Sequence, residues 1–275
     1  MPELSIGRWV LAALAATFVG IAKTGVPGFG TLAVPLMVLA VGDARLAAGW
    51  LLPLLCVADL FAVAFYRRHA YARRLLVLLP WVLAGMALGA LALGAPERWL
   101  RPTVAVVVLI MLLAREVRVR WPARRGTASA PTGESTIAAV SLPVPVPVSD
   151  VAPPPTRGWA HAAVFGGSAG FATTIANAAG PIMNLYLLGQ RLSKDEFVGT
   201  GAWFFLIVNL CKVPVYVGHG LVGARSLTFD AVLLPALIAG AIGGRLLLRR
   251  LAQRTFERAV LALTVVAAAL LFVPR

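Results

Sequence analysis

Six runs of the chain carry almost no charge: residues 46–66, 75–94, 98–114, 197–218, 226–248 and 255–273. Each is close to the ~20 apolar residues that a helix needs to cross a ~30 Å hydrocarbon core. Composition agrees. Of the 275 residues, 60% are hydrophobic and 13% charged, against about 45–50% and about 25% in soluble domains. The runs predict an all-α polytopic membrane protein whose surroundings are a lipid bilayer.

The net charge of +14 does not point to nucleic acid. The basic residues form no single face. They collect in the short gaps between apolar runs, where positive charge orients a membrane protein. Three of the 25 basic residues are lysines, and two of these, Lys23 and Lys212, fall inside apolar stretches. The two cysteines, Cys56 and Cys211, have no CxxC or His-rich neighbourhood, so no metal site or disulfide is indicated. The first apolar segment is expected to be retained, because Glu3 and the single Arg8 make a poor signal-peptide positive region.

Two further apolar regions, 9–42 and 159–190, are interrupted, the first at KTGVPGFG and the second at TTIANAAGP. Between the halves, residues 115–157 contain RRGTASAPTGES followed by LPVPVPVSDVAPPPT. That composition buries no core and favours an extended linker. The expected organisation is a first transmembrane repeat at 1–114, a disordered Arg- then Pro-rich linker at 115–157, and a second repeat at 158–275. The linker is predicted to be cytoplasmic.

The halves resemble each other. FVGIAKTGVPGFGTLAVPLMVLAVG (18–42) aligns with FGGSAGFATTIANAAGPIMNLYLLG (165–189), and WLLPLLCVAD (50–59) with WFFLIVNLCK (203–212). PWVLAGMALGA (80–90) aligns with PALIAGAIGGR (235–245). Duplicated halves with interrupted segments in corresponding places are a transporter pattern, and the interruptions point to the binding site. Arginines at 67, 68, 73 and 74, at 115–125, and at 249, 250 and 254 all fall inside the cell if each broken segment enters and leaves on one side. Two inverted repeats follow, each a broken, re-entrant helical hairpin plus three full spans. The total is about 8 to 10 transmembrane segments, with both termini outside. Reading each broken segment as one crossing instead gives eight helices in parallel repeats, with the last arginine cluster outside.

The first interruption superficially suggests a nucleotide loop. A phosphate loop needs its lysine after the second glycine, with a strand before it; here the order is G-I-A-K-T-G with no alternating strand nearby. In a membrane, broken backbone is tolerated where protein or a water-filled cavity satisfies it. Gly25, Pro27, Gly28 and Gly30 break the helix, and a new half-helix starts near Thr31. Its N-terminus carries partial positive charge and suits an anion. In the second copy, Asn177 or Gly180 can cap, Pro181 fits the first turn, and Thr173 and Thr174 offer hydroxyls. Lys23, with Thr24 beside it, adds a full charge at membrane depth, where an ionisable group costs at least roughly 2.5–3.5 kcal/mol.

Asp59 and Lys212 are repeat equivalents, each nine residues after a tryptophan. They could pair structurally. Alternatively Asp59 takes up protons and Lys212 binds an anion. Asn209 and Tyr216 lie three and four residues from Lys212, on its helix face. A competing constellation is GGSAG at 166–170, with Ser168 and either His161 or His219 as an intramembrane serine protease. That elbow needs a strand–turn–helix context, and small residues at such spacing serve close helix packing.

GIAKTGVPGFGTLAVPLM, GFATTIANAAGPIMNLYLL and KDEFVGTGAWFFLIVNLCKVP together resemble the sulfite exporter TauE/SafE family of membrane permeases. The resemblance covers both halves and leaves out the linker, which is longer than expected of compact members. It implies a multi-pass plasma-membrane transporter, with no cofactor and no enzymatic activity, for small anions such as sulfite, sulfonates or sulfoacetate. The combined expectation is a secondary transporter binding its anion at half-helix N-termini near the midplane. Lys23, Thr24, Gly25, Gly28, Gly30, Thr173, Thr174, Asn177, Gly180, Asn209 and Lys212 are the candidate binding residues. Asp59 is the proton-coupling candidate, and homo-oligomerisation is left open. A passive anion channel is the mechanistic alternative.

Overall fold

In the computed structural model, residues 5–92 and 159–270 are described, together with positions 106, 109, 110 and 113. Most of the 98–114 run and all of the 115–157 linker lie outside the described residues. Among the described residues the chain is helical, with no strand. In chain order the helices are α1 (Ile6–Thr24), α2 (Gly30–Val41), α3 (Ala44–Tyr66), α4 (Ala72–Ala92), α5 (Trp159–Ala176), α6 (Ala179–Leu188), α7 (Lys194–Gly218), α8 (Ala224–Arg250) and α9 (Gln253–Leu270). Five of them, α1, α3, α4, α7 and α8, are long and apolar enough to cross a membrane. Leu60, Leu76, Leu88, Leu210, Val232 and Ile242 point outward and are exposed, as in a protein whose solvent is lipid.

Ring and hydroxyl contacts give the helix directions. Trp9 and Trp50 both lie against Phe229, at 5.0 and 4.8 Å, so α1, α3 and α8 begin at one common end. At their other ends, the Tyr66 hydroxyl donates to the Thr24 carbonyl at 2.8 Å and the Thr24 hydroxyl to Ala241 O at 2.6 Å. These three helices therefore run parallel. The α1–α2 hairpin leaves from the end at which it entered, because α3 starts there again. At the opposite end, Tyr71 N–H donates to Thr200 Oγ1 at 3.1 Å, which places the start of α7 beside the start of α4. Helices α4 and α5 are parallel, since Gly85 meets Gly167 and Gly89 meets Thr174. The α5–α6 hairpin thus also returns to its own entry end.

Each hairpin has a long and a short arm. Helices α1 and α5 have 19 and 18 residues, α2 and α6 only 12 and 10. At 1.5 Å per residue the short arms reach about 18 and 15 Å, so their N-termini end up deep in the protein. The first break runs from Gly25 to Phe29, with Gly28 at φ 118°. The second is only Asn177–Ala178, with Asn177 at φ 51°. Glycine and asparagine are the residues that enter this left-handed region most readily.

This three-residue difference corrects the alignment of the long arms. Thr24 donates to Gly20 O and Ala241 O; Thr174 donates to Gly170 O and, at 3.5 Å, to Met86 O. Thr24 therefore matches Thr174 rather than Phe171, and Lys23 matches Thr173.

Small residues permit the close crossings between halves. Helix α1 packs on α8, α4 on α5 and α3 on α7. A Cβ on Gly244 would meet Thr24 Oγ1 at 2.6 Å and Ile21 O at 2.8 Å. Overpacking of this kind costs about 1–3 kcal/mol. Gly244→Val should lower the thermal unfolding midpoint of detergent-solubilised protein, whereas Gly243→Val, at a position with open space, should leave it near the native value.

Side chains cap α3 and α7 at their starts and close the end of α8, whereas the short arms begin without one. The Asp43 carboxylate accepts from Leu46 N–H at 2.7 Å, and Ser193 forms a capping box with Glu196. Lys194 Nζ donates to Leu248 O and Leu251 O, both at 2.7 Å, closing the end of α8. Helices α2 and α6 begin after Phe29 and Ala178 with no side-chain cap. Gly180 stands inside the first turn of α6 rather than capping it, and Asn177 closes the break instead.

Candidate functional site

Two polar clusters meet on one face of α7. Phe205, Asn209 and Lys212 recur at helical spacing, so one stripe faces both hairpin breaks. Asn209 and Lys212 are 2% exposed, and Asp59 and Thr24 are 0% exposed.

In the first cluster, Lys23 at the end of α1 forms an ion pair with Asp59 of α3, Nζ to Oδ1 2.7 Å. Asn209 Nδ2 donates to the other carboxylate oxygen, also at 2.7 Å. The Lys23 ammonium lies 4.0 Å from the centroid of the Phe205 ring, a cation–π contact. Both oxygens of Asp59 are thus engaged. Lys23 also borders a small cleft lined by Pro27, Asn184, Gly201 and Phe205.

In the second cluster, Lys212 Nζ donates to Asn177 Oδ1 at 2.6 Å and to Thr173 Oγ1 at 3.3 Å. Tyr216, one turn further along α7, hydrogen-bonds Asn177. Left-handed backbone at Asn177 turns its amide back toward α7 while ending α5.

These clusters are counterparts. Lys23 matches Thr173, 150 residues apart, and Asp59 matches Lys212, 153 residues apart, so Lys23–Asp59 corresponds to Thr173–Lys212. In the first cluster, cation faces carboxylate. In the second, the cation meets only an amide oxygen and a hydroxyl. No ion pair joins Lys212 to Asp59 or any other carboxylate among the described residues. Across these two clusters two lysines face one carboxylate, so Lys212 has no paired counter-ion there. A buried charge without a counter-ion is costly.

Other candidate residues make packing contacts. The hydroxyls of Thr24 and Thr174 are both directed at carbonyls of the facing helices. Gly25 lies against Gly244, where a Cβ would meet its carbonyl oxygen at 2.6 Å. Gly28 turns the chain, and Gly30 opens α2. Residues not singled out from sequence include Tyr66, which anchors the end of α1, and Phe205, which the helical spacing to Asn209 and Lys212 could have revealed. The Asn184 amide, donating to Thr264 at 3.3 Å, is another.

The GGSAG glycines serve helix packing, since a Cβ on Gly166 or Gly170 would meet the Leu78 or Val82 carbonyl of α4. His219 sits at the end of α7 with a ring nitrogen 2.8 Å from Val215 O. Among the described residues no group of three His, Cys, Asp or Glu side chains could hold a metal.

The chain matches no curated protein and no solved structure. A family model described as sulfite exporter TauE/SafE matches residues 11–271, nearly the whole length. With its long apolar helices and two polar breaks, this integral membrane protein belongs to the sulfite exporter TauE/SafE family of membrane transporters.

Proposed function

We propose that the chain is a secondary plasma-membrane transporter for small sulfur oxyanions such as sulfite, a sulfonate or sulfoacetate. The observation that carries this reading is Lys212, 2% exposed and bonded only to the neutral acceptors Asn177 and Thr173. The substrate anion supplies the missing counter-charge there. The uncapped N-termini of α2 and α6 add partial positive charge at the same depth. Charge-assisted hydrogen bonds are roughly twice as strong as neutral ones, so an oxyanion is favoured over a neutral solute.

The helix directions support two inverted repeats. Helices α1, α3 and α8 start at one end; α4, α5 and α7 start at the other. Counterparts α1 and α5, α3 and α7, and α4 and α8 therefore run in opposite senses. Arg67, Arg68, Arg249, Arg250 and Arg254 then share one end, which positive charge assigns to the cytoplasm. Rocking of one repeat against the other, with α3 and α7 at the crossing, exposes the site alternately. The linker, between two spans, falls on the same cytoplasmic side.

The test is flux of radiolabelled sulfite in proteoliposomes, with sulfoacetate and chloride in parallel. Saturable sulfite or sulfoacetate flux that unlabelled substrate on the far side accelerates is the expected result, because a carrier exchanges and a pore does not. Non-saturable flux shared with chloride would instead identify a pore, and the absence of flux for every sulfur anion would remove the assignment.

A further inference from the structure

Asp230 is the buried carboxylate that the anion site does not use. It lies on α8, two turns from the start of the helix, and is 4% exposed. Among the described residues neither of its oxygens has a hydrogen-bond partner, and no ion pair reaches it. It belongs to the packed stripe Ser226, Phe229, Leu233 and Leu237. Ser226 does not help, since its hydroxyl bonds both the N–H and the carbonyl of Gly223.

The elements packed against α8 at this level are α1 and α3. Trp9, Ala12 and Ala16 come from α1, and Ala47, Trp50 and Leu51 from α3; none is titratable. The charged groups nearest in these helices are Arg8, Asp43, Arg45 and Arg225, and all four are exposed. A bare carboxylate here would be an uncompensated charge in an apolar packing layer. The equivalent position in the first half, 155 residues earlier by the alignment of Pro80 with Pro235, is the buried Leu75. The layer can thus be built without an acid, and only one half carries one.

We propose that Asp230 is the proton-carrying carboxyl of the transport cycle, protonated in the conformation seen here and releasing its proton when α8 and α1 part. The step is Asp–COOH ⇌ Asp–COO⁻ + H⁺, with the proton passing to water on the exposed side. A proton needs one carboxylate oxygen, whereas a hard metal cation gathers several oxygen ligands that α1 and α3 do not present. By contrast, Asp59 has both oxygens engaged by Lys23 and Asn209. The sites communicate through shared helices. From Asp230 to Ala241, which meets Thr24, is 11 residues, roughly 16 Å along α8. Coupling is therefore conformational, through α1, rather than by direct contact with the anion.

This inference rests on the anion-carrier reading, and its test separates the two. Asp230→Asn and wild type are compared in proteoliposomes for sulfite exchange at equal pH and for sulfite accumulation driven by a pH gradient. Infrared spectra of both proteins, titrated with pH, report the free-acid C=O stretch without any substrate. The expected result is exchange retained, gradient-driven accumulation lost in Asp230→Asn, and a free-acid band present in wild type and missing from the variant. Accumulation by Asp230→Asn equal to wild type would overturn the proposal, as would spectra without that band. Should wild type exchange no sulfur anion, the anion reading falls, and the infrared band alone decides whether Asp230 carries a proton.

Discussion

Lys212→Met should weaken sulfite exchange at least roughly tenfold while leaving the protein as stable as wild type or more so. The two effects separate because Lys212 has no counter-ion in the substrate-free state. Removing it relieves the desolvation of a buried ammonium and leaves Asn177 and Thr173 to rebond locally. In the anion-bound state the same change removes the counter-charge. A hydrogen bond to a charged group is worth about 1.5–3 kcal/mol, a factor of roughly 10–100 in affinity. Thermal unfolding beside exchange assays checks both halves of the statement. A structural lysine would behave in the opposite way, with stability falling and residual transport tracking the amount of folded protein.

Asp59→Leu carries the second large effect, on folding first. It strands Lys23, whose side chain is 12% exposed, and takes the acceptor from Asn209. Removing one partner of a buried pair typically costs 3–5 kcal/mol, whereas exchanging both for apolar residues is often neutral. The double variant Lys23→Met with Asp59→Leu should therefore recover most of the unfolding midpoint that Asp59→Leu loses. Denaturation curves of the wild type, the two single variants and the double variant form the cycle that measures this coupling. If the double variant is no more stable than Asp59→Leu, the pair is not the unit that matters.

The parts of this arrangement differ in how far they could be read in advance. Breaks at Gly25–Phe29 and Asn177–Ala178 announce themselves, because Gly, Pro and Asn in an apolar run have few other uses. A lysine inside such a run is equally plain. The register of the long arms is not, since helices rich in Gly and Ala align almost equally well at neighbouring offsets; the hydroxyls of Thr24 and Thr174 settle it. Equivalence of Asp59 and Lys212 left open whether they pair or act separately. Positions equivalent on oppositely directed helices lie level only where those helices cross, and each residue instead finds its partner at or beside a hairpin break: Lys23 at the end of α1 for Asp59, Asn177 for Lys212. Asp230 stood near the edge of an apolar run, where an acid ordinarily marks the end of a span. Only the packing of α8 on α1 and α3 makes it a buried acid.

In the proposed transport cycle Lys212 is the unpaired cation that the transported anion neutralises. Equilibrium binding of radiolabelled sulfite to detergent-purified wild type and Lys212→Met tests it without any contribution from coupling or orientation in the membrane. Saturable binding to wild type, displaced by sulfoacetate and reduced at least roughly tenfold in Lys212→Met, is the predicted result. Equal sulfite binding by both proteins would contradict the account, because the site would then lie elsewhere.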